Sequence, residues 1–305
     1  MMEPPGGRRC YPMSIEDDRR LGTDYDGPVF IWDIDDTYLL TDFSSIKGLA
    51  RIPLEFAVDK IAIPGMPEIL RGIRQGAGPS FAAAPLYFVS SSPPQLRKVL
   101  EHKMLLDGVE YDGITSKDWM RTFRQLRPGR LRQQVGFKVC ALLEGRSRRP
   151  LAREYLFGDD LEQDAAGFSI YARMLTGELA GGEADAAMAD EGTKKDDRRC
   201  ALSLLEALPE TRGAVERVFI HLQNETPPEQ FERYGGHVVP VRGAGQLGLA
   251  LYELGLIGAE AVDAAFSEVL EAERLPSSHR DDMTADANVR GLVSKRSLRK
   301  LALGR

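Results

Sequence analysis

The sequence of 305 residues predicts an α/β fold with a mainly parallel sheet, and three observations predict it. Short apolar runs recur at residues 29–34, 86–89, 154–157, 218–222 and 238–241. Runs that are apolar at consecutive positions suit strands covered on both faces, whereas a half-exposed antiparallel strand would alternate apolar with polar. Helix-type segments lie between most of these runs, the order expected of βαβ units.

The elements follow in order. Residues 1–26 mix Pro, Gly, Arg and Asp without periodicity and read as a flexible arm; the folded domain is expected over 27–272. Helices are predicted over 66–74, 93–106, 138–143, 200–208, 246–256 and 258–271. Ser92 before Pro93 and Pro94 gives the second of them a hydroxyl cap, with proline where no N–H is needed. The stretch 38–85 is short for a full cap domain and contains Pro53-Leu54-Glu55-Phe56, a candidate helical flap. Residues 176–199, rich in Gly, Ala and charge, read as a mobile insertion. The chain from 273 to 305 is a polar tail that becomes basic, with six basic residues and no acid after position 289.

Composition narrows the function. Forty Lys and Arg against 46 Asp and Glu give a net charge of −6, which argues against nucleic acid as a partner. A local excess of 11 basic residues over two acids between 117 and 153 offers one region for anions. Arg121, Arg124 and Arg127 would share one side of a helix, as a solvated face or as the approach to a site for a polyanionic or lipid phosphate. Cys10, Cys140 and Cys200 are odd in number and far apart, so no disulfide framework or metal site is expected, and a reducing compartment is. No signal-type h-region and no run of about 18 apolar residues is seen, so a cytoplasmic protein without a membrane span is predicted.

The chemistry begins at Asp33-Ile34-Asp35-Asp36-Thr37, directly after the first apolar run. The carboxyl end of such a strand is where ligands meet an open parallel sheet. Residues two apart in an extended segment point the same way, so the charges of Asp33 and Asp35 would raise a pKa or demand a cation. Ser90-Ser91-Ser92 ends the second run and precedes a helix start, where a phosphate could accept hydrogen bonds. Lys138 opens a helix candidate, and Gly158-Asp159-Asp160-Leu161-Glu162-Gln163-Asp164 again sets acids at a strand's end. An acidic turn, a helix cap or a solvated lysine would explain each feature singly. Their order carries the weight.

That order resembles the haloacid dehalogenase superfamily of phosphatases, whose motifs are DxDx[TV], a strand-terminal Ser or Thr, a Lys, and GDxxxD or GDxxxxD. Here they are Asp33 to Thr37, Ser90, Lys138, and Gly158-Asp159 with Asp164. Within it, the strings DIDDT, PGM at 64–66, VSSSPPQL at 89–96 and GDDLEQD look most like the catalytic domain of the actin-patch phosphatidate phosphatase family, over about 29–257. Ser91, Asp160 and Ala165 stand where that family's pattern resembles Asn, Ser and Pro, and the strand often ending in Arg ends near His221. The resemblance implies a Rossmannoid three-layer sandwich with a central parallel sheet and a small cap. It implies Asp33 as nucleophile, Asp35 as acid and then base, Thr37 as support for the loop, and Ser90 and Lys138 as holders of the phosphoryl oxygens. Mg²⁺ is the implied cofactor, with Asp33, the main-chain carbonyl of Asp35 and Asp159 as ligands and Asp164 or Asp160 completing the set. The implied activity is hydrolysis of a phosphomonoester, with phosphatidate or another lipid phosphate among the substrates and peripheral contact with anionic membrane. A non-catalytic scaffold for a phosphorylated ligand and a phosphotransferase acting on a small metabolite are the alternatives.

One rival motif fails on context. Gly243-Ala244-Gly245-Gln246-Leu247-Gly248 matches GxGxxG, yet 258–271 reads as a helix where a dinucleotide site needs a second strand ending in an acid. A tight turn and close packing are the expected uses of these glycines. The four histidines form no ligand spacing; only His221 lies near a strand's carboxyl end.

Overall fold

The computed structural model describes residues 10–40, 60–92, 96–118, 134–210 and 212–303. The candidate flap at 53–56 and the arginines 121, 124 and 127 lie outside the described residues.

The fold is mixed α/β, a mostly parallel central sheet flanked by helices. The sheet holds β1 (Met13–Asp17), β2 (Pro28–Asp33), β5 (Leu86–Ser90), β6 (Gly113–Lys117), β7 (Arg153–Asp159), β8 (Val215–His221) and β9 (Val238–Val241). Their order across it is β1-β6-β5-β2-β7-β8-β9, and only β1 runs antiparallel to its neighbour. A separate two-stranded ribbon, β3 (Leu39–Leu40) with β4 (Ile61–Ala62), follows the loop after β2.

Strand β2 shows why the apolar runs are continuous. Val29 and Ile31 enter one core cluster while Phe30 and Trp32 enter another, so both faces of the strand are buried. The first face is covered by α3 (Val135–Arg148), α4 (Asp164–Thr176) and α6 (Lys195–Glu206), and the second by α1 (Met66–Gln75), α7 (Gly243–Glu253) and α8 (Ala259–Ala272). The remaining helices are α2 (Arg97–Leu106), α5 (Gly181–Asp190), α9 (Ser278–Val289) and α10 (Lys295–Leu303).

A buried polar knot fastens the elements that approach the site. Arg146 of α3 pairs with Glu154 of β7 at 2.7 Å, Tyr171 of α4 donates to the same Glu154 carboxylate at 2.6 Å, and Arg146 Nε donates to the Tyr171 hydroxyl at 3.2 Å. All three side chains are essentially inaccessible, so their charges are matched within the core.

Several expectations are corrected. The arm over 1–26 contains β1, which pairs with β6; neither stands out in the sequence, because the alternation of Met13-Ser14-Ile15-Glu16-Asp17 has only two apolar residues inside a Pro-, Gly- and charge-rich stretch, and Gly113-Ile114-Thr115-Ser116-Lys117 is polar. Residues 176–199, read as mobile, hold α5 and the start of α6, with Ala184, Met188 and Asp197 buried. The polar tail forms α9 and α10, with Ala287 and Leu301 of the helices and Val293 of the turn between them buried. Cys10 and Cys200 form a disulfide, which counts against the reducing surroundings their spacing suggests; Cys140 is buried and outside the disulfide, its Sγ 3.8 Å from the Asp197 carbonyl. Two glycines of the GxGxxG string serve packing, since a Cβ at Gly245 would stand 2.4 Å from the Phe266 ring of α8 and one at Gly248 3.1 Å from Ile69, while Gly243, at φ 78°, serves the turn. Among the described residues no helix is long and apolar enough to cross a membrane.

Candidate active site

The site forms where β5, β2 and β7 end side by side. Trp32 pairs in register with Phe157, and their rings stack 4.0 Å apart, which fixes the height of the β2 end against that of β7. The next residue, Asp33, turns by the strand's twofold alternation to the face covered by α3 and α4. There it meets Lys138, whose ammonium lies 3.1 Å from Asp33 Oδ1 and 2.8 Å from Glu162 Oε2 and also pairs with Asp164. Lys138, Asp33, Asp159 and Asp164 are all at most 1% exposed.

Strand β7 presents its acids through a tight turn. Asp159 Oδ1 accepts the amides of Leu161 at 2.7 Å and Glu162 at 2.9 Å, and its other oxygen accepts the Thr37 hydroxyl at 3.1 Å. Asp164 opens α4 and accepts the Asp159 amide at 3.3 Å. Gly158 makes room for it: a Cβ there would fall 2.3 Å from Asp164 Oδ2. Asp33, Asp159, Glu162 and Asp164 each contribute an oxygen to a cluster whose atoms lie within 4.8 Å of one another.

Glu162 was not among the residues singled out in the sequence. The turn that hydrogen-bonds its amide to Asp159 brings its carboxylate into the cluster, and nothing in the motif's spacing distinguishes it from its neighbours. Asp160, considered there as a ligand, turns away and accepts the amides of Asn224 at 2.8 Å and Thr226 at 3.2 Å. Asp35 is buried on the other side of the loop, where Ser92 Oγ donates to its carboxylate at 2.7 Å and Ser90 Oγ at 3.2 Å. Ser90 in turn accepts the Ser92 amide at 3.0 Å. The structure thus brings together Asp33, Lys138, Asp159 and Asp164, and beside them Asp35, Thr37 and Ser90. A cavity of about 270 Å³ adjoins Asp159 and Glu162, bounded by Thr226, Gln230 and Arg233.

Charge balance tests the cluster for a cation. Four carboxylates face one ammonium, and neither Asp33 oxygen has a hydrogen-bond partner among the described residues. Burial raises the Asp33 pKa well above the ordinary carboxylate range, with Lys138 opposing and Asp164 adding to the rise. Burial and the Asp164 charge push Asp159 up to about 8, and burial pushes Asp164 up to about 6 against the pull of Lys138. Burial alone would lower Lys138, but Asp164, Asp33 and Glu162 outweigh it and hold the ammonium charged. An all-oxygen cluster with surplus negative charge, in which Asp33 accepts no hydrogen bond and only its Oδ1 is ion-paired, fits a hard divalent ion such as Mg²⁺.

Residues 29–178 match the family described as phosphatidate phosphatase APP1, catalytic domain, which bears out the resemblance carried by the four motifs. No curated protein and no solved structure matches the chain.

Proposed function

Taking as premise that this chain carries an APP1-type phosphatase-like domain with a buried acidic cluster, we propose that it is a Mg²⁺-dependent phosphatase acting through an aspartyl-phosphate on Asp33. The proposal includes a haloacid dehalogenase-like Rossmannoid sandwich with a small cap. The observation that carries it is the environment of Asp33: a carboxylate at the end of the central strand, buried, accepting no hydrogen bond, and held by an ion pair to Lys138. The Asp33 oxygen that does not face Lys138 keeps its lone pairs for attack on phosphorus.

Asp33 attacks in line and takes the phosphoryl group, which divides one difficult displacement into two easier ones. Asp35 protonates the leaving oxygen and then takes the proton of the attacking water, a contribution of about 10²- to 10⁴-fold. Ser92 and Ser90 orient its carboxylate. Lys138 and the Ser90 hydroxyl receive phosphoryl oxygens, and Thr37 ties the loop to Asp159. Asp33, Asp159, Glu162 and Asp164 would hold Mg²⁺, with the Asp35 carbonyl as the remaining protein ligand. When bound, the ion supplies charge that offsets repulsion between Asp33 and the phosphoryl group. The substrate is a phosphomonoester, with phosphatidate or another lipid phosphate as the first candidate, reached from an anionic membrane surface.

The test is hydrolysis of p-nitrophenyl phosphate with and without Mg²⁺, followed by a panel of phosphatidate, sugar phosphates and phosphopeptides. Asp33→Asn is expected to lower kcat by roughly 10⁴-fold or more without lowering the melting temperature. Turnover near wild type in that variant removes Asp33 as nucleophile. Binding of phosphorylated ligands without turnover by the wild type supports the scaffold reading.

A further inference from the structure

The first turn of α3 presents Lys138 to Asp33, and three consecutive residues of that turn meet three different neighbours. Successive side chains of a helix diverge by about 100°. Lys138 turns to Asp33, Glu162 and Asp164. Gly136 turns to the start of α6: a Cβ there would stand 2.8 Å from Thr193 Cγ2 and 3.2 Å from Asp197 Cβ, so the two segments meet with no side chain between them. Phe137 turns to the N-terminal arm, where the Tyr11 ring lies 5.8 Å from its own and both residues are at most 1% exposed.

The arm is fastened on both sides of Tyr11. After it, the Pro12 carbonyl accepts the Asp118 amide at 3.1 Å, and Met13 pairs with Lys117 at the start of β1. Before it, Cys10 is joined by a disulfide to Cys200. Cys200 lies on α6 three residues beyond Asp197, on the same side of that helix. One turn further along α3, Cys140 Sγ donates to the Asp197 carbonyl at 3.8 Å, which keeps α3 against α6. The disulfide therefore ties together the two flanks of the turn that carries Lys138, the arm on one side and α6 on the other. Cys10 is exposed, which opens the bridge to a reductant from its end.

We propose that this bridge is a redox switch on the active site: oxidised, it clamps Tyr11 against Phe137 and fixes the turn that presents Lys138; reduced, it frees the chain before Tyr11 and slackens that turn. This rests on the phosphatase reading of the site, in which Lys138 receives phosphoryl oxygens. The reductant is a dithiol. One of its thiolates attacks the Cys10 sulfur and Cys200 leaves as a thiolate; the second then closes the reductant's own disulfide and releases Cys10, so that two electrons and two protons pass to the two cysteines. Chain ends fray unless tied down, so opening the bridge leaves Tyr11 fastened through β1 alone. A misplacement near 1 Å costs about 10²-fold in rate, and the loss of one of two fastenings is expected to cost about tenfold.

The experiment uses the full chain with Mg²⁺ and p-nitrophenyl phosphate, well below the melting temperature. Dithiothreitol, with opening of the bridge followed by thiol titration, is expected to lower kcat about tenfold, and reoxidation to restore it. Cys10→Ser should start at the lowered rate and not respond to dithiothreitol. Tyr11→Ala, with the bridge intact, should show the same loss, and dithiothreitol should add less than about twofold to it, because both act through one contact. A bridge that only stabilises the fold would lower the melting temperature and leave kcat unchanged. The proposal is overturned by a bridge that dithiothreitol does not open, by one that opens without a change in kcat, by a response in Cys10→Ser, or by losses that multiply fully in Tyr11→Ala. Hydrogen exchange tests the clamp without turnover: on reduction the Asp118 amide and the Lys138 amide, which bonds the Gln134 carbonyl at 2.8 Å, should lose protection. Unchanged protection of both overturns the clamp. An inactive wild type counts against the phosphatase reading, and hydrogen exchange then decides the clamp.

Discussion

Replacing Lys138 by Met keeps most of the side chain's volume and deletes the charge on which the cluster depends. In the metal-free protein Asp33, Glu162 and Asp164 lose the ammonium that pairs with them, and Lys138 and Asp164 are fully inaccessible. Breaking a buried pair by removing one partner costs about 3–5 kcal/mol, because the remaining charge is left without compensation. For 305 residues the entropy of unfolding is roughly 0.6 kcal/mol per kelvin, so the melting temperature should fall by about 5–8 °C at pH 8 with EDTA present. At pH 5 the deficit should shrink, since Asp159 and Asp164, with pKa values near 8 and 6, then carry protons and need no counter-charge. Millimolar Mg²⁺ at pH 8 should restore part of the loss. Differential scanning calorimetry of wild type and variant at both pH values, with and without Mg²⁺, reads all of this. An equal deficit at pH 5 and pH 8, or none at either, refutes the reasoning and makes Lys138 a packing residue.

The wild type should show the same titration. Its carboxyls have folded-state pKa values above those of the unfolded chain, so their contribution to stability is present below about pH 4 and is lost as pH rises through about 6 and about 8. Melting temperature in EDTA should therefore decline from pH 5 to pH 8.5, and the increase produced by Mg²⁺ should be larger at pH 8 than at pH 5, because the ion binds the deprotonated acids. A Mg²⁺ effect independent of pH sinks that account. Cys10→Ser opens a loop closed across 190 residues and should cost about 5 kcal/mol, or roughly 8 °C. Dithiothreitol should lower the wild-type melting temperature to that of the variant; no response to it means the bridge does not contribute in solution.

Much of the site was legible because its signals are local. A strand buried on both faces must be apolar throughout, so the abrupt change from Trp32 to Asp33 marks its end, and the same change at Phe88 to Ser90 and Phe157 to Asp159 marks two more. The polar strand β6 and the alternating edge strand β1 carry no such contrast, and only their pairing with each other and with β5 defines them. The helices of 176–199 were hidden for the opposite reason: their Gly-rich, charged composition resembles a loop, and the burial of Ala184 and Met188 against the rest of the core holds them in place.

The sequence by itself determined the α/β class, the order of the acidic, hydroxyl and basic motifs, and the strand ends that bear them. Those depend on neighbours along the chain and on the burial each run needs. Only the tertiary structure decided that Glu162 joins the cluster while Asp160 turns to the 224–226 amides, that Cys10 meets Cys200, and that Ser92 joins Ser90 on the Asp35 carboxylate. Each of these contacts depends on which strands lie side by side and how far each extends, a property of the whole sheet that no spacing within one segment records.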